Sequence, residues 1–158
     1  MKTYSLMIGI VALIVLIFFG ISQTLPEKTR GNATTPSIQI GDTVIPVELA
    51  RTPAEQKQGL SYRTSLDKNK GMLFIFEKPG LYRFWMPNMN FPIDMIWINE
   101  NKRIVSINEN VPPLKDISKP IYYQPEKLSL YVLEVNASFA REHNIKIKDQ
   151  LIFQNISN

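Results

Sequence analysis

Two acidic residues stand where acids are costly. Asp94 follows Pro92-Ile93 and opens an apolar run, Met95-Ile96-Trp97-Ile98. Glu134 is embedded in Leu130-Tyr131-Val132-Leu133-Glu134-Val135. Burying an ionised carboxylate without partners is strongly unfavourable, so each needs a reason to be there. An acid at a corner can accept backbone N–H bonds and serve the fold alone. An acid facing a pocket can hold a ligand or act as a general base, and burial against Trp85 and Trp97 would raise the pKa of Asp94. Two acids converging across a cleft are the equipment of a glycoside-type hydrolase, and Asp94 and Glu134 are the candidate catalytic pair. Glu134 also has candidate ion-pair partners in Arg51, Arg63 and Arg83.

The approach to Asp94 is unusual in itself. Phe84-Trp85-Met86-Pro87-Asn88-Met89-Asn90-Phe91-Pro92-Ile93-Asp94 packs large side chains between two prolines. Such a stretch corners a core or lines a pocket. Trp85, Met86, Asn88 and Asp94 are the candidate ligand-binding residues, with Trp85 and Met86 forming a floor for a sugar or another flat ligand. The bland alternative places Trp85 and Met86 in the core.

Other chemistries are disfavoured. Met72, Met86, Met89 and Met95 offer thioethers to a soft metal, but methionine is mostly packing material, and the four read as core. The single histidine, His143, stands at a helix C-terminus, where a protonated imidazole complements the dipole. There is no cysteine, hence no thiolate nucleophile, thiolate metal site or disulfide. No Ser-His-acid set, glycine-rich phosphate loop or histidine cluster is present, and neither a metal nor a cofactor is expected.

These residues must be positioned by short strands. Ile38 to Ile40 and Thr43 to Leu49 flank a Gly41-Asp42 turn, and Pro46 marks the second run as an edge strand. Thr52, Pro53 and Glu55 spell a capping box for a short helix that Gly59 ends. Leu73 to Phe76 is a buried strand, and Leu81 to Trp85 reads as another. Met95 to Ile98 and Arg103 to Ile107 form a hairpin around Asn99 to Lys102. Val111 to Gln124 is a long loop. In the strand Leu128 to Val135, alternation puts Tyr131, Leu133 and Val135 on one face and Leu130, Val132 and Glu134 on the other. Asn136 caps a second short helix that ends at Asn144, and Gln150 to Phe153 closes the domain. The pattern predicts a mainly β sandwich or barrel with two short helices.

The N-terminus is of a different kind. Leu6 to Ile21 is apolar throughout, and no charge falls between Lys2 and Glu27. With its polar flanks the segment is long enough to span a bilayer. It reads as an uncleaved transmembrane anchor, with a cleaved signal as the alternative because Gly20-Ile21-Ser22 is a poor cleavage site. The predicted organisation is an anchor or signal at 1–22, a flexible linker at 23–37 and one β domain at 38–158. The bilayer is then the first partner, and the domain lies outside the cytoplasm, secreted if the segment is cleaved. The formal net charge is +4, with basic residues scattered among acids. This mixed surface argues against nucleic-acid binding.

Five blocks in order, Gly59-Leu60, Gly71-Met72-Leu73-Phe74, Phe84-Trp85-Met86 with Asn88, Pro92-Ile93-Asp94 and Tyr131-Val132-Leu133-Glu134-Val135-Asn136, resemble the family numbered 192 among the domains of unknown function, also called uncharacterised protein family 0127. The resemblance covers about Ile38 to Phe153. It implies a compact β structure similar to a jelly roll, with short helices at its edge, and no established activity. The chain departs from the pattern at Ser61, where Met often follows Gly-Leu, at Pro87, where Lys usually follows Trp-Met, and at Ser138, where Gly is common. The expected function is a membrane-tethered extracytoplasmic domain that binds a glycan or another small polar envelope molecule. The alternatives are a hydrolase using Asp94 and Glu134, or a module that docks a protein through its Trp-Met-Pro loop.

Overall fold

The computed structural model describes residues 35–157. The segment predicted as a membrane anchor or signal, and most of the linker after it, lie outside the described residues. Among the described residues no helix is long and apolar enough to cross a membrane.

Seven strands form one sheet: β1 (Ser37–Ile40), β2 (Thr43–Ala50), β3 (Gly71–Gly80), β4 (Ile93–Ile98), β5 (Ile104–Val111), β6 (Ser129–Asn136) and β7 (Leu151–Gln154). Their order is β5-β4-β6-β3-β2-β1-β7. Every pair is antiparallel except β2 with β3. The sheet curls into a half-barrel. Its two outer strands meet at one end, where Arg103 bridges Gln150 and the Leu151 N–H donates to the Lys102 carbonyl at 2.8 Å. The mainly β expectation with two short helices holds, in the form of one curled seven-stranded sheet.

Local chemistry explains most of the elements. Gly41 takes φ +56° at the β1–β2 turn, a left-handed conformation that favours glycine. Helix α1 (Pro53–Gln58) has the predicted capping box: Glu55 N–H donates to Thr52 Oγ1, and Thr52 N–H donates to a Glu55 carboxyl oxygen at 2.8 Å. Gly59 ends it at φ +48°.

Three readings need correction. Pro46 is not on an edge strand, since β2 lies between β1 and β3. It occurs where pairing passes from β1, whose partners end at Pro46, to β3, whose partners begin at Val47. The Val47 N–H reaches the Pro36 carbonyl at 2.9 Å. In an antiparallel ladder bonded and non-bonded pairs alternate, so Pro46 falls at a non-bonded pair and its missing N–H is not needed. Leu81 to Trp85 is not a strand; only Phe84 pairs, exchanging two 2.8 Å hydrogen bonds with Tyr123. Asn136 is the last residue of β6 and does not cap helix α2 (Phe139–Glu142).

Two cores lie on opposite faces of the sheet. The first gathers Ile38, Ile45, Leu73, Ile96, Leu133 and Val135 under Phe139 of α2. The second gathers Met72, Phe74, Met95, Trp97 and Val132 under Leu60, Met86 and Met89 from the loops. All four methionines singled out above pack in this second core, and among the described residues no cluster of His, Cys, Asp or Glu could hold a metal. Gly71 starts β3 with no room for a methyl group: a Cβ there would meet the Glu134 carbonyl oxygen and Leu133 Cδ1, both at 2.9 Å. Gly71→Ala is therefore expected to lower stability by about 1–3 kcal/mol through overpacking, measured by urea unfolding. An unchanged midpoint would mean that β3 moves away at no cost.

Candidate functional site

Asp94 and Glu134 are neighbours in the sheet that face opposite ways. Asp94 pairs with Val135, and Glu134 pairs with Met95. Successive side chains on a strand alternate faces, so one step in register sends the two acids to opposite cores. They do not flank a common cleft, and the two-carboxylate hydrolase loses its geometry.

Asp94 is fully buried and fully engaged. Its Oδ1 accepts the N–H groups of Asn110 at 2.8 Å and Ser138 at 3.1 Å, and its Oδ2 accepts that of Ala140 at 2.9 Å. Ser138 holds the N-cap position of α2 in the left-handed region at φ +71°, and its own side chain caps nothing. Its hydroxyl instead donates to Asn110 Oδ1 and accepts from Arg141. Asp94 thus caps α2 from across the sheet and ties the end of β5 to it. Of the roles open to it in the sequence, it fills the corner-forming one.

Glu134 is the opposite case. It is 5 % exposed, flanked in its row by Met72 on β3 and Met95 on β4. Among the described residues no ion pair reaches its carboxyl group, and no buried side-chain oxygen is both enclosed and unpaired, so the carboxyl opens onto the adjoining cavity. Each candidate arginine is occupied elsewhere. Arg63 makes a two-pronged pair with Glu48 at 2.6 and 2.7 Å, which holds the Glu48 carboxyl below its usual range. Arg51 donates to the Ser157 carbonyl. Arg83 lies 5.0 Å above the Tyr122 ring. With burial as its cause, the pKa of Glu134 is pushed up to about 8, the behaviour of a desolvated carboxyl with no compensating donor.

What Glu134 does touch is a cavity of about 290 Å³ between α1 and the 82–89 segment. Its walls are aromatic. Phe76 and Tyr82 stack with centroids 3.6 Å apart, and Phe84 meets both Phe74 and Trp97 edge-on. Lys57 and Arg83, both exposed, are the two basic residues of the lining, and Glu134 is its one acid.

The predicted ligand-binding residues separate here. Trp85 and Met86 line the cavity, Trp85 40 % exposed and Met86 buried. Asn88 and Asp94 do not line it. Asn88 sits at φ +55° and clasps Tyr62: its side chain donates to Tyr62 Oη at 2.9 Å, and its carbonyl accepts the Tyr62 N–H at 2.8 Å. Ser61 Oγ donates to the Pro87 carbonyl at 2.9 Å. These bonds join the loop after α1 to the Pro87–Asn88 turn, so Asn88 builds the cavity wall without facing the interior. Sequence reading missed Phe76, Tyr82 and Lys57. Phe76 and Tyr82 flank the Pro79-Gly80 step that turns the chain back, a signal that was present but carried no hint of stacking.

The chain has no match among curated proteins. Two solved structures share its fold. A proposed transcription regulator from Sinorhizobium meliloti 1021 is 28% identical with a TM-score of 0.68, covering 77% of this chain and 93% of that one. A protein of unknown function from Novosphingobium aromaticivorans DSM 12444 is 32% identical with a TM-score of 0.66, covering 74% and 82%. The blocks that carry Gly71, Trp85, Asp94 and Glu134 fall inside the matched span of a family described as "Uncharacterized ACR", residues 36–153. The half-barrel, with its capped α2 and its acid-based cavity, is a member of the DUF192 family.

Proposed function

We propose that this domain binds a small polar molecule of the cell envelope, such as a glycan fragment, in the cavity between α1 and the 82–89 segment. The N-terminal segment would hold it at the outer side of the membrane. One observation carries the reading: Glu134, nearly buried and with no protein donor among the described residues, opens its carboxyl group onto a cavity walled by aromatic rings. A desolvated carboxyl group with no protein donor beside it is unfavourable in its ionised form, and a cationic ligand that pairs with it recovers that cost. Aromatic walls around a small number of polar groups are the usual build of a small-molecule site.

A second reading has its own support. Trp85, Leu81, Ile121 and Tyr122 are exposed, and Trp85 stands 6.2 Å from Tyr122. An exposed aromatic and aliphatic patch of this kind suits docking to a protein, and the Trp-Met-Pro loop supplies its centre.

A thermal-shift screen of the full chain in detergent, against envelope sugars, lipid headgroups and short peptides, separates the two. Small-molecule binding should raise the melting temperature and be weakened about tenfold or more by Trp85→Ala, a loss of about 1.4 kcal/mol. If only peptides stabilise the protein, docking replaces the cavity as its function. If nothing does, both readings fail.

A further inference from the structure

The cavity has a polarity that its size alone does not convey. Its single acid, Glu134, is nearly inaccessible, whereas its two basic residues, Lys57 and Arg83, are exposed. Negative chemistry therefore lies at the base and positive chemistry at the rim. The base is also rich in ring faces and edges from Phe74, Phe76 and Phe84. A carboxylate attracts an ammonium or guanidinium group by charge-assisted hydrogen bonding, and ring faces attract the same cations through their quadrupole. Neither feature favours an anion at depth. Lys57 forms no ion pair among the described residues, and Arg83 is held only above the Tyr122 ring. Both are available to an anionic group at the opening. A volume of about 290 Å³ is at the lower end of ligand sites and suits a molecule of amino-acid size.

Resting on the reading of the cavity as a binding site, we propose that its ligand is a small zwitterion, with an alkylated or primary ammonium against Glu134 and a carboxylate or phosphate at Lys57 and Arg83. The groups facing Glu134 are few. Met72 and Met95 beside it do not titrate, and the titratable neighbours across the cavity are Lys57 on α1 and Tyr82 and Arg83 on the 82–89 segment. With burial raising its pKa to about 8, Glu134 is mostly protonated at neutral pH while the cavity is empty. A bound cation favours the ionised form, so the proton must leave.

The test is calorimetry of the full chain near pH 7 in two buffers of different ionisation enthalpy. The probes are glycine betaine and phosphocholine as zwitterions, tetramethylammonium as a cation alone, inorganic phosphate as an anion alone, and glucose as a neutral molecule. Zwitterions should bind tightest and release about one proton each. Glu134→Gln should weaken them at least tenfold and abolish the release. Lys57→Ala with Arg83→Ala should remove the preference for zwitterions over tetramethylammonium and leave proton release intact. Glucose bound equally by wild type and Glu134→Gln, with no proton released, would overturn the charge assignment and keep the cavity as a binding site. Binding of none of the probes, with the envelope screen equally silent, would overturn both.

Discussion

Raising the pH from about 5 to about 8 should weaken the fold by on the order of 4 kcal/mol, and Glu134→Gln should remove most of that loss. The sign follows from proton counting. Glu134 has an ordinary value of 4.5 and is raised to about 8 in the folded chain. Between those values the folded state holds a proton that the unfolded state has released, so stability falls as pH rises. The destabilisation starts above the unfolded value and is complete once the folded group ionises. A shift of each pKa unit corresponds to 1.36 kcal/mol. Acids held low by their partners, Glu48 and Glu55 among them, contribute stability that is present throughout this range and lost only as the pH falls below the ordinary carboxylate value. Urea unfolding in steps across this range measures the effect. Parallel profiles for wild type and Glu134→Gln would show that the carboxyl group finds a partner or water in solution.

Asp94→Ala should cost about 4 kcal/mol. It removes both acceptor oxygens from the N–H groups of Asn110, Ser138 and Ala140. Each donor left unpaired in a buried setting costs about 1–3 kcal/mol. Asp94→Asn should be milder, about 2 kcal/mol, because one amide oxygen still accepts while the new NH2 group faces a donor. Binding of any cavity ligand should survive both changes, since Asp94 faces away from the cavity. A variant that kept its melting temperature and lost ligand affinity would reverse that assignment and return Asp94 to the site.

The strands were legible because their periodicity is strong. The β4–β5 hairpin, the capping box at Thr52 and the two faces of β6 all appear in the residues themselves. What was not legible was where each face leads. Glu134 stood out as an acid among apolar residues, yet whether it met an arginine or an empty cavity depends on loops far away in sequence. Asn88 looked like a ligand residue because it is polar among large side chains; the Pro87-Asn88 pair is a turn signal that accounts for its left-handed backbone, but the clasp on Tyr62 joins residues far apart in sequence. Pro46 misled for a similar reason. A proline is excluded from a paired strand only where its N–H is needed, and the handover from β1 to β3 removes that need. The closure between Arg103 and Gln150 joins residues that no local pattern connects.

The single step of register that separates Asp94 from Glu134 also guards the chain while it folds. If β6 slid by one residue against β3 and β4, every side chain on it would change faces. Glu134 would enter the core of Ile38, Leu73 and Ile96, and Leu133 and Val135 would fill the cavity. That arrangement strands a carboxyl group where neither water nor a ligand can reach it, at a cost of several kcal/mol. The acid that lines the cavity therefore also makes mispaired chains unfavourable. Replacing it with leucine would leave a sheet that has lost its safeguard against mispairing.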